Sequence, residues 1–232
     1  MGPKINQQQQ AAIAKLEKKI QEYETKFKAL ENRIESLEAT EAVLKTVTSN
    51  LRNELDSLDQ YGRRSNILIR NVEIDETDDR EVDQKKIEST VTDIIQNELK
   101  LPACVGQIDK LHRVGQKKEH HNKKYQNIVV RFTSHRARYQ VYRKRTELKN
   151  NVKLNPHLTK KRGKLLHESI ELTEKIDAVD FTYANIHGDI CARLKTAVNG
   201  TESFSFQSAE QLLKKLSDLH LVELDAEGNL ID

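Results

Sequence analysis

The first long pattern in the chain is a seam. From Ile13 onward, apolar residues recur at alternating steps of three and four, and with Ile13 as heptad position a the register holds through seven heptads. Positions a are Ile13, Ile20, Phe27, Ile34, Glu41, Thr48 and Leu55; positions d are Leu16, Tyr23, Leu30, Leu37, Leu44, Leu51 and Leu58. A period of 3.5 keeps one seam facing its partners, so the pattern predicts a coiled coil over 13–60. At about 1.5 Å per residue that rod would be roughly 70 Å long. Left single, the helix would keep a wet apolar seam.

The flanking charges set the direction of pairing. Glu17, Glu24, Glu31 and Glu38 occupy positions e, and Lys19, Lys26 and Arg33 occupy positions g. Parallel in-register helices would pair Lys19 with Glu24, Lys26 with Glu31 and Arg33 with Glu38 of a neighbour. Antiparallel helices would set like charges face to face. A parallel homo-oligomer is expected. Arg33-Ile-Glu-Ser-Leu-Glu38 resembles the Arg-apolar-x-x-apolar-Glu pattern of trimeric coiled coils, which favours a homotrimer, whereas Ile at a with Leu at d leans towards a dimer.

Before the seam, residues 1–12 with their Gln7–Gln10 run read as a disordered lead-in or a helix fringe. After it, Gly62 stops the helix and Arg63-Arg-Ser65 forms a basic hinge. Ile67-Leu-Ile-Arg-Asn-Val72 reads as a strand, followed by an acidic loop with Glu73, Asp75, Glu76, Asp78, Asp79, Glu81 and Asp83. Ile87, Val91, Ile94, Ile95 and Leu99 mark an amphipathic helix over about 82–100, whose dipole favours those acids at its start. Pro102 is expected to break it. A strand over 108–114 closes at Gly115, a basic His-containing loop spans 116–126, and Asn127-Ile-Val-Val-Arg-Phe132 is a third strand. Ser134 caps a helix running to about Leu148, and Val152-Lys-Leu-Asn155 is a fourth strand. The order βαββαβ over 63–156 is the ferredoxin-like arrangement of small RNA-binding domains. The pattern then changes. Thr159 caps a helix with Leu165, Leu166 and Ile170; three short strands follow near 179–186, 190–196 and 202–207. Gly188-Asp189 and Asn199-Gly200 mark their turns. Leu212, Leu213, Leu216 and Leu219 mark a closing helix. The expectation is α+β: a coiled coil, a βαββαβ domain resembling an RNA-recognition motif, a small α+β domain over 157–220, and an acidic frayed tail over 221–232.

Composition narrows the function classes. Of 232 residues 32% are charged, 5% are aromatic and none is Trp, which suits a rod with small polar domains. Cys104 and Cys191 stand apart without C-x-x-C spacing, so neither a disulfide framework nor a zinc site is expected. No apolar run is long enough for a bilayer, and the polar N-terminus has neither a signal-peptide nor a myristoylation pattern. A reducing intracellular setting is expected. No nucleophile elbow, phosphate-cradling glycine loop or H-E-x-x-H occurs, so no enzyme, cofactor or metal is expected; a nuclease or transposase is the disfavoured reading. His120 and His121 read as a solvated pair.

The net charge of +3 hides an asymmetry. Between Lys110 and Lys164 there are 18 Lys and Arg against two acids, Glu119 and Glu147. Charge of one sign spread over a loop, two strands and two helices is costly unless a polyanion relieves it, and nucleic acid is the natural partner. An anionic membrane fits less well, since no apolar face accompanies the charge. The candidate contacts are Arg63, Arg64, Arg70, Arg113, Lys117, Lys118, Lys123, Lys124, Arg131, Arg143, Arg145, Lys160, Lys161 and Arg162. The first strand fits the hexamer of RNA-recognition motifs, except that Leu68 stands where an aromatic would stack. In the third strand Asn127 and Val129 take the stacking positions, while Ile128, Val130 and Phe132 face inward. Arg70 and Arg131 are expected outward. Binding would rest on phosphate contacts with weak sequence preference.

The heptad rod, Arg63-Arg-Ser-Asn-Ile-Leu-Ile-Arg70, His112-Arg-Val-Gly115 and Asn127-Ile-Val-Val-Arg-Phe132 together resemble the first-open-reading-frame protein of LINE-type non-LTR retrotransposons. Leu158-Thr-Lys-Lys-Arg-Gly-Lys-Leu165 and Ala184-Asn-Ile-His-Gly-Asp-Ile-Cys191 also resemble the baculovirus few-polyhedra protein family. The resemblance implies a trimer whose two C-terminal domains clamp single-stranded RNA or DNA, with packaging and strand-annealing activity. It places Arg113, Arg131 and Arg162 in the cleft. The alternative it carries is a scaffold acting mainly through protein partners. Glu41 and Thr48 interrupt the seam.

Overall fold

The computed structural model describes residues 7–74, 80–120, 123–148, 151–198, 201–225, 228 and 230. The protein is α+β: a long N-terminal helix, α1 (Gln7–Gly62), precedes two antiparallel sheets. Contacts divide the chain into a unit ending at Leu55 and a second beginning at Asp56.

In the first unit, helix already includes Gln7 to Ala12, so of the two readings these residues follow the helix fringe and not the disordered lead-in; residues 1–6 lie outside the described residues. Gln and Ala are good helix formers, and once the downstream turns exist each adds a hydrogen bond at little entropic cost. Ile13, Leu16, Ile20, Tyr23, Phe27, Leu30, Ile34, Leu37, Leu44 and Leu51 are all exposed in the single chain. Glu41, the acid at a seam position, is held by Lys45 one turn on, 2.7 Å away.

The second unit opens with the last turns of α1 and a 3₁₀ turn, Arg63–Ser65. Next come β1 (Asn66–Ile74), α2 (Arg80–Asp93), whose end widens into a π turn over Ile94–Glu98, and the short α3 (Pro102–Val105). Then follow β2 (Ile108–His120), β3 (Lys123–Phe132), α4 (His135–Arg143) and β4 (Lys153–Pro156). The sheet order is β2-β3-β1-β4, all neighbours antiparallel. Ile67, Ile69, Ile128, Val130, Phe132 and Leu154 line its inner face against Val91, Ile95, Leu99 and Val141. Each fully buried side chain of this size contributes about 1.5–3 kcal/mol.

Several boundaries differ from the sequence expectation. Pro102 does not simply end a helix; it starts α3 at a position where its missing N–H costs nothing. The segment expected to be a basic loop over 116–126 is mostly ribbon, since Lys118 pairs with Tyr125 and His120 with Lys123. Its side chains are largely exposed on both faces, so backbone pairing holds it and no apolar alternation announces it. Gly115, at φ +77°, lies within the register shift that precedes this ribbon. The helix after Ser134 ends at Arg143, not near Leu148. Residues 75–79, His121 and the Asn199-Gly200 turn lie outside the described residues.

A second core follows. It comprises α5 (Lys160–Thr173), the sheet β5-β6-β7 (Val179–Ala184, Ile190–Val198, Thr201–Phe206) and α6 (Ala209–Asp218), packed around Leu165, Ile190, Leu194, Phe206, Leu212 and Leu216. The segment expected to fray instead packs Leu221, Val222 and Leu230 on this core, and Leu224 bridges to Leu230. Its four acids are interspersed with apolar residues, and the apolar ones are what pack.

The end of α1 joins these parts. Gln60, 4% exposed, donates to the His157 carbonyl at 3.2 Å and accepts from the Thr159 amide at 3.0 Å. Asp56 accepts from the Thr159 hydroxyl and pairs with Arg162 at 2.9 Å, while Arg162 reaches the Gly188 carbonyl and Asp189, each at 3.0 Å. Burial alone would raise the Asp56 pKa, but the hydrogen bonds from Thr159 and Arg162 and the charges of Arg162 and Lys161 hold it below its ordinary 3.8. From the other side Arg138 donates to Ile186 O at 2.6 Å and Asn66 O at 3.4 Å.

Gly188 has φ +86°, and a Cβ there would stand 2.3 Å from the Gln60 amide nitrogen. Gly188→Ala should therefore cost about 2 kcal/mol or more through backbone strain and overpacking, read as a lower urea midpoint. Gly106→Ala, with open space at its Cβ, should shift the midpoint far less.

Candidate nucleic-acid interface

Strand alternation sorts the basic residues of the first sheet onto two faces. Inner positions alternate with outer ones, so Leu68 and Arg70 on β1, Val129 and Arg131 on β3, and Lys153 and Asn155 on β4 share the outer face. On β2, Lys110 and His112 join them, in register with Arg131 and Val129. Arg70 and Lys153 are also direct cross-strand partners. The outer face thus carries two like-charge pairs, Arg70/Lys153 and Lys110/Arg131. Asp109 sits 3.2 Å from Arg131, but among the described residues no carboxylate ion pair is recorded for Arg70, Lys110 or Lys153. Like charges opposite one another on a sheet are destabilising. An anion lying across the strands would relieve them.

Arg113 does not belong to that face. It is in register with Ile128 on the side covered by helices, is 14% exposed, and forms a two-point ion pair with Asp83 in the first turn of α2, at 2.6 and 3.0 Å. Arg113 and Arg131 therefore point to opposite faces of the sheet and do not line one cleft. Arg162, which the resemblance also places in the cleft, is only 17% exposed and is tied to Asp56 and Asp189. Strand alternation would have placed Arg113 had the β2 register been known; nothing local signals the partners of Arg162.

The remaining candidates divide. Arg63 is held by Asp59, the His157 ring and the Leu158 carbonyl. Lys123 pairs with Glu73 at 2.8 Å. Arg64 lies with its guanidinium 3.5 Å from the Tyr61 ring centroid and donates to His135 Nε2 at 2.7 Å. Arg143 and Arg145 lie over Tyr139 and Tyr142, at 5.8 and 4.6 Å. Lys117, Lys118, Lys160 and Lys161 are exposed, and Lys124 is half-buried. Of the stacking positions, Val129 is 2% exposed, so that site is filled as well as non-aromatic. Lys110, His112 and Lys153 are not among the contacts expected from the sequence; the outward positions of the strands identify them.

A cleft of about 470 Å³ opens between α4 and the β5–β6 turn. Arg64, His135, Arg136, Arg138, Tyr139, Ile186 and His187 line it, with no carboxylate among them. Among the described residues no three His, Cys, Asp or Glu side chains gather as they would around a metal ion. No described helix is long and apolar enough to cross a membrane.

At the helix-joint end of the outer face stands His157, bonded to Asn66 and Arg63. Burial, then the charges of Arg63 and His112, lower its pKa to about 4, with Asp59 opposing. The unfolded state therefore takes up a proton between about pH 6.5 and 4 that the folded state refuses. This contribution is complete above pH 6.5 and is lost as pH falls towards 4. Denaturation midpoints should drop across that window, and His157→Gln should flatten the drop; the Asp56 contribution is lost only below its ordinary 3.8.

Neither models of known protein families nor curated proteins match this chain.

Proposed function

We propose that this chain is a non-enzymatic protein that binds single-stranded nucleic acid with weak sequence preference and self-assembles through its N-terminal seam. The observation that carries the reading is the outer face of the first sheet, where Arg70 opposes Lys153 and Lys110 opposes Arg131. Phosphates laid across these strands would turn two repulsive pairs into an anion site, and counterion release would make the affinity salt-dependent. The acid-free cleft beside α4 adds a second basic surface. The order β1-α2-β2-β3-α4-β4 with sheet order β2-β3-β1-β4 supports likening this part to an RNA-recognition motif. The exposed seam with its charged flanks supports a parallel coiled coil, trimeric by the Arg33–Glu38 pattern. Membership in the LINE-type first-frame family, with RNA packaging and annealing as its roles in cytoplasmic or nuclear particles, is part of the same proposal.

Filter binding to a long single strand at two salt concentrations tests it. Tight binding that falls steeply with salt is expected. Persistently weak binding at low salt would favour a scaffold for protein partners. Arg70→Ala and Lys153→Ala should each reduce the salt slope by about one unit, similarly for unrelated sequences, with the fold intact by circular dichroism. Arg162→Ala should behave differently. It leaves the part-buried Asp56 without its cation and should cost on the order of 3 kcal/mol of stability.

The seam should matter through avidity. Parallel assembly brings the units attached to each seam together, and linked sites can bind about 10²–10⁴ times more tightly than one alone. Leu30→Asp with Leu37→Asp should give a monomer by sedimentation. It should bind long strands far more weakly than the parent and differ little on short oligonucleotides. A monomer that binds long strands as the parent does would separate the seam from binding.

A further inference from the structure

The first sheet has no aromatic ring at Leu68, Asn127 or Val129, the positions where bases would stack, whereas the second sheet carries two rings on one face. In β5 the bulge after Val179 sends Phe181 and Tyr183 to the face opposite the second core, with Thr182 and Ala184 paired to the inward Ala192 and Ile190. The two rings lie 5.4 Å apart at 55°, and Phe181 is 46% exposed. The next strand places Arg193 beside Phe181, its guanidinium 5.8 Å from the ring, and Ser203 beside Arg193. Lys195, two residues on along β6, is exposed, with Asp177 3.7 Å away. Tyr183 is in register with Cys191, which is followed across the sheet by Ser205.

A lone exposed phenylalanine needs no explanation. Two aromatic rings two residues apart on one strand face, Phe181 exposed and Tyr183 half-buried beside the buried Cys191, with an arginine in register, have the composition of a base-stacking platform. We infer that Phe181, Tyr183 and Arg193 form a stacking strip for unpaired bases, with Arg193 and Lys195 reaching the adjoining phosphates. The strip rests on the nucleic-acid reading above and adds what the first sheet lacks, a contact to bases as well as to backbone. A protein's apolar segment fits less well, since it would have to cover Arg193 and Lys195 to reach the rings. Stacking tolerates any base, so the strip would distinguish single strands from duplex without imposing a sequence.

The chain contains no Trp, so Phe181→Trp installs a single reporter in the full-length protein. Its fluorescence should be quenched by a saturating oligothymidylate and unchanged by an abasic phosphodiester strand of equal length, with binding of both followed independently by anisotropy. Phe181→Ala should weaken oligothymidylate binding about 5- to 150-fold, leaving the salt slope and abasic-strand affinity as they were. Oligothymidylate binding without quenching would overturn the strip and leave the nucleic-acid reading standing. No binding of either strand at low salt would remove both. If Phe181→Ala leaves binding unchanged but alters sedimentation, the face joins copies of this chain and the inference falls.

Discussion

The arrangement of the two sheets depends on one buried carboxamide. Gln60 satisfies both ends of its amide across the linker between them, donating to His157 O and accepting from Thr159 N, and its side chain fills the space above Gly188. A net hydrogen bond is worth about 1 kcal/mol, but a buried partner left unsatisfied costs about 1–3 kcal/mol. Losing Gln60 would strand both the amide and the carbonyl. Asp56 and Arg63 flank it one turn before and one after, so the last two turns of α1 contact the linker and, through Arg162, the β5–β6 turn.

That joint competes with function for the same chemistry. Arg63 and Arg162 are committed to carboxylates and carbonyls there, and Arg138 is buried against two carbonyls with burial lowering its pKa against the opposing influence of Tyr142. Arg113 is spent on Asp83. Guanidinium groups suit both tasks, because a planar fork fixes geometry wherever it meets an oxygen. On the strand faces Arg70, Lys110 and Lys153 meet no carboxylate among the described residues, whereas Arg131 has Asp109 3.2 Å away, and Lys118 and Lys160 are exposed besides.

The elements themselves were largely legible. Heptads announced α1, apolar runs announced β1 and the end of β3, leucine spacing announced α6, and Ser134 and Thr159 each cap a helix through a side-chain oxygen accepting a backbone N–H. The misreadings share a cause. The ribbon of β2 and β3 beyond Val114 is held by backbone pairing between exposed strands, and the segment after α6 is placed by three or four apolar side chains among acids. Periodicity reports burial, so where burial is absent or sparse it falls silent.

Local rules therefore determined most of the helices and strands, though not the exposed ribbon of β2 and β3, and that positive charge concentrates between Lys110 and Lys164. They could not determine which charges are spent. Whether an arginine meets a carboxylate or a ligand depends on residues far along the chain: Asp56 for Arg162, Asp83 for Arg113, Gln60 for the linker beside them. The same holds for faces. Nothing in the spacing around Phe181 and Tyr183 marks their face; the bulge after Val179 and the pairing with Arg193 and Cys191 set them together on the side away from the second core. Local propensity reads spacing along the chain, whereas ion pairing and strand register bring together residues distant in sequence, and only the folded chain fixes those.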